Sequence, residues 1–140
     1  MVILLVEDNK SDIVLISSIL KDVDRKCELH VINNGVEAIM FLKKDMTYKD
    51  APTPDLVILD LNLPMVHGIE VLAKIKGDIL LSSIPLVVFT SVISEKQRDF
   101  SIALGCDEYF EKPMIIDDYV RIVKSFFQYG SVKYSKFEIN

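Results

Sequence analysis

Asp55-Leu56-Val57-Ile58-Leu59-Asp60-Leu61-Asn62-Leu63-Pro64 is the stretch that decides the fold. Four apolar residues in a row between two aspartates are too few for a helix, and no position in the run is spared for solvent. Such a run suits a strand covered on both faces, as in a parallel sheet packed between two layers of helices. Working outward, apolar runs of the same length recur, separated by longer stretches whose apolar residues return at helical spacing. That alternation is the pattern of βαβ units. Strands are predicted over residues 2–7, 28–32, 55–60, 86–90 and 108–110.

Between them, Ile13, Ile16, Ser17 and Leu20 are expected to line one face of a first helix, and Val36, Ile39, Met40 and Leu42 to cover much of a second. Further helices are predicted over 68–76, 95–104 and 117–127, the last with Tyr119, Ile122, Val123, Phe126 and Phe127 at helical spacing. Crossovers between parallel strands are right-handed almost without exception. The expectation is therefore α/β: a doubly wound, five-stranded parallel sheet with helices on both faces, flavodoxin-like, in strand order 2-1-3-4-5. The polar segment 43–54, with Pro52 and Pro54, reads as a surface loop.

A chain of 140 residues, half of them hydrophobic, fits one domain. A formal charge of -5 offers no general attraction to phosphate backbones or anionic lipid, so direct DNA binding is not expected. No stretch reaches the roughly 20 apolar residues of a membrane span, and the first residues run straight into an apolar strand; a cytoplasmic location is expected. Cys27 and Cys106 lack metal-type spacing and read as reduced, partly buried thiols.

Ligands of open α/β sheets bind outside the carboxyl ends of the strands. There the pattern puts Glu7 and Asp8 after the first strand, Asp60 after the third, Thr90 at the end of the fourth and Lys112 after the fifth. Carboxylates crowded together must protonate or recruit a cation, and an oxygen-only donor set suits a hard ion such as Mg²⁺. A lysine and a threonine hydroxyl add donors for phosphoryl oxygens. Each residue also has a plain explanation: Glu7 and Asp8 as charges near a helix N-terminus with Ser11 or Asp12 as caps, Asp60 as a turn residue, Lys112 as a solvated cation, Tyr109 as core. Those explanations leave the shared sheet edge unaccounted for.

Glu7-Asp8, Asp60-Leu61-Asn62-Leu63-Pro64 with Gly68, Thr90-Ser91 after Pro85 and four apolar residues, and Tyr109-Phe110-Glu111-Lys112-Pro113 together resemble the response regulator receiver family of two-component systems across almost the whole chain. The resemblance implies a phosphoryl-accepting signalling domain, not a classical enzyme. It implies Asp60 as phosphoacceptor, a Mg²⁺ held directly by Asp8 and Asp60 and by the backbone carbonyl of Asn62, with Glu7 acting mainly through water, and phosphoryl contacts from Thr90, Ser91 and Lys112. It further implies a switch made of Thr90 and Tyr109, and a cis bond before Pro113. Tyr48, Ala51-Pro52 and Glu70-Val71-Leu72 make the chain similar to the small stand-alone response regulators that accompany bacterial phytochromes. The partner implied is a sensor histidine kinase or phosphotransfer protein, and in that subgroup's case a bacterial phytochrome.

The resemblance spans 1–127. Residues 128–140, with Tyr129, Val132, Tyr134, Phe137 and Ile139, form a tail expected to dock on its own domain or to make a homodimer. With no output domain expected after the fifth helix, the signal should leave by protein contact. Two rivals are weighed. A haloacid-dehalogenase-type phosphatase expects paired aspartates after the first strand, whereas Asp60-Leu61-Asn62 follows the third and has asparagine second. A pseudo-receiver should lack the aspartate, the lysine or the acidic pair, and this chain retains all three. His67, before Gly68 where the family commonly has aspartate, reads as an exposed loop residue.

Overall fold

The computed structural model describes residues 1–130. In chain order the elements are β1 (Val2–Val6), α1 (Lys10–Val23), β2 (Glu28–Ile32), α2 (Gly35–Lys43), β3 (Leu56–Leu59), α3 (Gly68–Gly77), β4 (Leu86–Thr90), α4 (Glu95–Leu104), β5 (Glu108–Glu111) and α5 (Ile116–Ser125). The strands pair in parallel in the order β2-β1-β3-β4-β5, which is the flavodoxin-like arrangement expected. The central strand β3 and its neighbour β4 are buried at every position.

Side chains alternate across a strand, so each strand feeds two cores. Leu4, Val6, Val57, Leu59, Leu86 and Val88 face α2 and α3 through Phe41, Leu42, Val71, Leu72 and Ile75. Ile3, Leu5, Leu56, Ile58, Val87 and Phe89 face α1 and α5 through Ile16, Leu20, Tyr119, Val123 and Phe126. None of the described helices is long and apolar enough to cross a membrane.

Short polar side chains fix where helices begin. Asn9, Asn34 and Ser94 each accept the backbone N–H three residues on, from Asp12, Glu37 and Gln97, which satisfies donors that helix starts leave free. Ser11 and Asp12 are thus inside α1, not its caps. At the amino ends of the strands, Asp55 Oδ2 accepts the Val2 N–H at 2.8 Å and Asp107 Oδ2 accepts the Leu86 N–H at 2.7 Å.

Some expectations shift. The buried face of α2 is Gly35, Ala38, Phe41 and Leu42; Val36 is exposed, and Ile39 and Met40 are only partly covered. The bulk of Phe41 turns the helix by docking beside His30 and Tyr48, with ring centroids 5.1 and 5.5 Å away. In α1 the buried set is Ile16, Ile19 and Leu20, with Ile13 at the margin. The loop 43–54 contains a 3-10 turn at Met46–Tyr48. Of the tail, Tyr129 lies against Phe110 at 6.2 Å between centroids; Val132, Tyr134, Phe137 and Ile139, on which tail docking or dimerisation would turn, fall outside the described residues.

One glycine sets the approach of α3 to the end of β3. A methyl group on Gly68 would lie 2.3 Å from the Leu61 Cα and 2.7 Å from the Asp60 carbonyl oxygen, and the Gly68 N–H donates to the Leu61 carbonyl at 3.1 Å. Both obstacles are backbone, which has no flexible end to move aside. Gly68→Ala is expected to lower unfolding free energy by about 1–3 kcal/mol, the usual range for overpacking, read as a lower urea midpoint at unchanged slope.

Candidate functional site

The carboxyl ends of four strands bring the site together. Glu7 follows β1, Asp60 follows β3, Thr90 closes β4, and Lys112 follows β5. Glu7, Asp60 and Thr90 are 1%, 4% and 0% exposed, so their polar groups must find partners within the protein. The Lys112 ammonium supplies them. It donates to Glu7 Oε1 at 2.5 Å, to Asp12 Oδ2 at 3.0 Å and to Asp60 Oδ2 at 3.2 Å, which uses all three of its N–H bonds. Its aliphatic stem is buried too, and the ammonium sits 5.9 Å from the centre of the Phe89 ring.

Backbone amides complete the carboxylates. Glu7 Oε2 accepts the N–H groups of Asp8 and Asn9 at 3.0 and 3.1 Å. Asp60 Oδ1 accepts the Asn62 N–H at 3.1 Å. The Lys112 N–H donates to the Thr90 carbonyl at 2.7 Å, which fixes the exit of β5 against β4. Thr90 Oγ1 accepts the Val92 N–H at 3.3 Å. The Tyr109 ring is buried, and its hydroxyl donates to the Val92 carbonyl at 3.4 Å, so both proposed switch residues bond the same loop residue.

Charge balance follows from this burial. Desolvation, then the neighbouring Asp60 carboxylate, raise the Glu7 pKa from 4.5 to about 7 against the opposing pull of Lys112. For Lys112 burial acts downward, but the carboxylates of Glu7, Asp60 and Asp12 outweigh it, and the pKa rises above its ordinary value. The lysine is held as a cation, and the charge on Glu7 is disfavoured by its own burial.

Not every expected residue joins the cluster. Asp8 is exposed and enters only through its N–H on Glu7. Asn62 and Ser91 are exposed at the rim. His67 is exposed where α3 begins and makes no side-chain cap. The cis bond expected before Pro113 is corrected: among the described residues every peptide is trans. The trans isomer is the lower in energy even before proline, by about 0.5–1 kcal/mol, and Lys112 reaches three carboxylates from it. Two residues were missed as site members. Asp12, in the first turn of α1, shares Lys112; Tyr119, read as core of α5, donates its hydroxyl to Asp12 Oδ1 at 2.6 Å. Asp12 lies directly after the acidic pair, and that nearness in the chain was the only signal available for it.

The donor set is compatible with a hard divalent cation: buried Glu7 and Asp60 carboxylates, with exposed Asp8 beside them. Among the described residues no three His, Cys, Asp or Glu side chains converge as a closed metal cage. A small hard ion does not require one, because it keeps several waters and binds through one or two carboxylates plus phosphate.

The family described as response regulator receiver domain matches residues 3–124. The chain belongs to the response regulator receiver family. Response regulator Rcp1 of Synechocystis sp. is 39% identical over 123 residues, spanning 88% of this chain and 84% of the relative. The crystal structure of the Mn²⁺-bound form of Rcp1 superposes with a TM-score of 0.85 over 90% of this chain and 93% of that one, at 39% identity. The phosphorylated cyanobacterial phytochrome response regulator RcpA superposes equally well, TM-score 0.85 at 40% identity, over 89% of each chain. The receiver thus falls among relatives that include phytochrome response regulators, as its sequence motifs implied.

A carboxyl whose native pKa of about 7 lies above its ordinary 4.5 binds more proton folded than unfolded across that window. Its contribution to stability is present in full below the lower value and is lost as pH rises through the upper. In chelator-treated receiver, Glu7→Gln should therefore flatten the fall in unfolding free energy between those two pH values relative to the parent, measured by urea titration at several pH values.

Proposed function

We infer that this receiver takes a phosphoryl group onto Asp60 from the phosphohistidine of a sensor histidine kinase or phosphotransfer protein, and relays the event to a protein partner by a change of shape. The observation that carries this reading is the Lys112 ammonium, brought from after β5 to 3.2 Å from the buried Asp60 carboxylate of β3. Phosphoryl transfer asks little covalent work of a protein; it asks for an aligned acceptor and donors for the equatorial oxygens.

In the proposed step a carboxylate oxygen of Asp60 attacks phosphorus as the P–N bond of the phosphohistidine breaks, its electron pair leaving on the ring nitrogen. Lys112 exchanges its bond to Asp60 for one to a phosphoryl oxygen. The Thr90 hydroxyl, whose oxygen already accepts from Val92, keeps its proton to give to another, with Ser91 beside it in the chain. Glu7, Asp8 and Asp60, with the backbone carbonyl of Asn62, would hold a Mg²⁺, which when bound neutralises charge on the transferring group. Attack of water on the acyl phosphate then returns Asp60 and inorganic phosphate.

Moving a two-state element from about 1:99 to 99:1 takes roughly 5.5 kcal/mol of differential binding, and hydrogen bonds to a charged group contribute about 1.5–3 kcal/mol each. Thr90 closing on the phosphoryl group adds one such bond, while Lys112, already bonded to Asp60, adds only the difference between its old and new partners. Both Thr90 and Tyr109 bond Val92, so withdrawal of Thr90 toward the phosphoryl group would reach Tyr109 through the loop they share. Similarity to RcpA supports a phytochrome-type kinase as the upstream partner, and the acidic balance of the chain supports a protein in the cytoplasm, not DNA, as the downstream one.

Incubation with acetyl phosphate and Mg²⁺, followed by intact mass measurement, should add one phosphoryl group to the parent. Asp60→Asn, or chelation of the metal, should abolish the gain. A parent that stays unmodified under these conditions would overturn the reading. A second arm addresses the cation: apparent Mg²⁺ affinity, by calorimetry, should weaken as pH falls below about 7, because protons and metal compete for the Glu7 carboxylate.

A further inference from the structure

We propose that Asp12 and Tyr119 form a positioning arm that holds Lys112 in line with Asp60 and joins α5 to the phosphoacceptor site. The inference rests on the reading of Asp60 as phosphoacceptor, and it concerns residues that the receiver motifs do not include.

An ammonium on a four-carbon stem has three rotatable donors and no direction of its own. Two of the three are committed to Glu7 and Asp60, which are immediate neighbours; both could be satisfied by a range of lysine conformers. The third bond, to Asp12 Oδ2 at 3.0 Å, comes from a different element, α1. Three acceptors, from the ends of β1 and β3 and from α1, define one position for the nitrogen. Asp12 could itself rotate, but its other oxygen is held by the Tyr119 hydroxyl at 2.6 Å. The Tyr119 ring in turn is wedged edge-on against Phe89, 5.1 Å between centroids, and only 6% of the residue is exposed.

The result is a continuous chain of contacts: Asp60, Lys112, Asp12, Tyr119, then α5. When the lysine shifts from Asp60 to a phosphoryl oxygen, its tie to Asp12 must rotate or stretch, and the Tyr119 hydroxyl is the next group to feel it. This route runs along the seam between α1 and α5. It is separate from the Val92 loop that joins Thr90 to Tyr109.

The test uses the full chain and two variants, Asp12→Asn and Tyr119→Phe. The second removes a single oxygen and leaves the buried ring in place, so it remains informative should the first fold poorly. With acetyl phosphate at saturating Mg²⁺, Asp12→Asn should be phosphorylated about tenfold more slowly and Tyr119→Phe a few-fold more slowly, the scale expected for one charge-assisted hydrogen bond. A merely structural bridge between α1 and α5 would not disturb the lysine, so a second readout follows its ammonium by ¹H–¹⁵N spectroscopy. The buried, triply bonded Lys112 signal should move or broaden in both variants. Rates within about twofold of the parent, or a Lys112 signal that stays where it was in Tyr119→Phe, would overturn the proposal. Failure of the parent itself to gain a phosphoryl group would instead sink the acceptor reading, while the ammonium signal would still decide whether Asp12 and Tyr119 hold the lysine.

Discussion

A lysine ammonium taken out of water and set among three carboxylates is the interaction on which the upper rim of this molecule depends. Glu7, Asp12 and Asp60 come from separate elements, and like charges at such distances would drive those elements apart or force protons onto the acids. The Lys112 nitrogen meets each of them within hydrogen-bond distance and turns mutual repulsion into a common attraction. Desolvating a buried ion costs several kcal/mol, which is recovered only when every donor and acceptor is matched. Here they are matched: among the described residues no buried side-chain nitrogen or oxygen is left without a partner.

That requirement organises much of what surrounds it. The Lys112 N–H on the Thr90 carbonyl holds the lysine's own backbone, two amides turn the Glu7 carboxylate, and the contact of Gly68 with Leu61 brings α3 down onto the turn after Asp60. Each contact restricts one residue of the cluster. Together they keep a charged group poised beside an acceptor without allowing either to collapse into solvent. At Glu7, burial and a neighbouring carboxylate outweigh the lysine's pull and raise the pKa of that acid.

The sheet was legible in the sequence because its signal is local. Leu56 to Leu59 must be covered on both faces wherever they sit, and five strand-length segments admit few topologies under right-handed crossovers, with the more exposed β2 and β5 at the edges. The convergence of Glu7, Asp60, Thr90 and Lys112 followed from topology alone, because strand ends in a parallel sheet share an edge. What escaped was orientation about helix axes. Phe41 took the core position that Val36 and Met40 were expected to fill, beside His30 and Tyr48, which lie in the flanking strand and loop and not in its own helix. Asp12 read as a cap because its partners lie 100 and 107 residues away, and nothing in its own helix announces them. Tyr119 was recognised for its ring, while its hydroxyl does something that hydrophobic periodicity cannot register.

Aspartate appears at both ends of the sheet with opposite employment. At the amino ends, Asp55 and Asp107 each clasp the first N–H of a neighbouring strand, that of Val2 or Leu86, and take no part in the cluster at the carboxyl ends. Strands pinned at their starts behave like slats hinged along one side. Loops on the far side can shift, and a lysine can change partners, without any strand slipping in register against the next. With the starts of β1 and β4 held in this way, rearrangement at the open margin would fall on the surface a partner can touch.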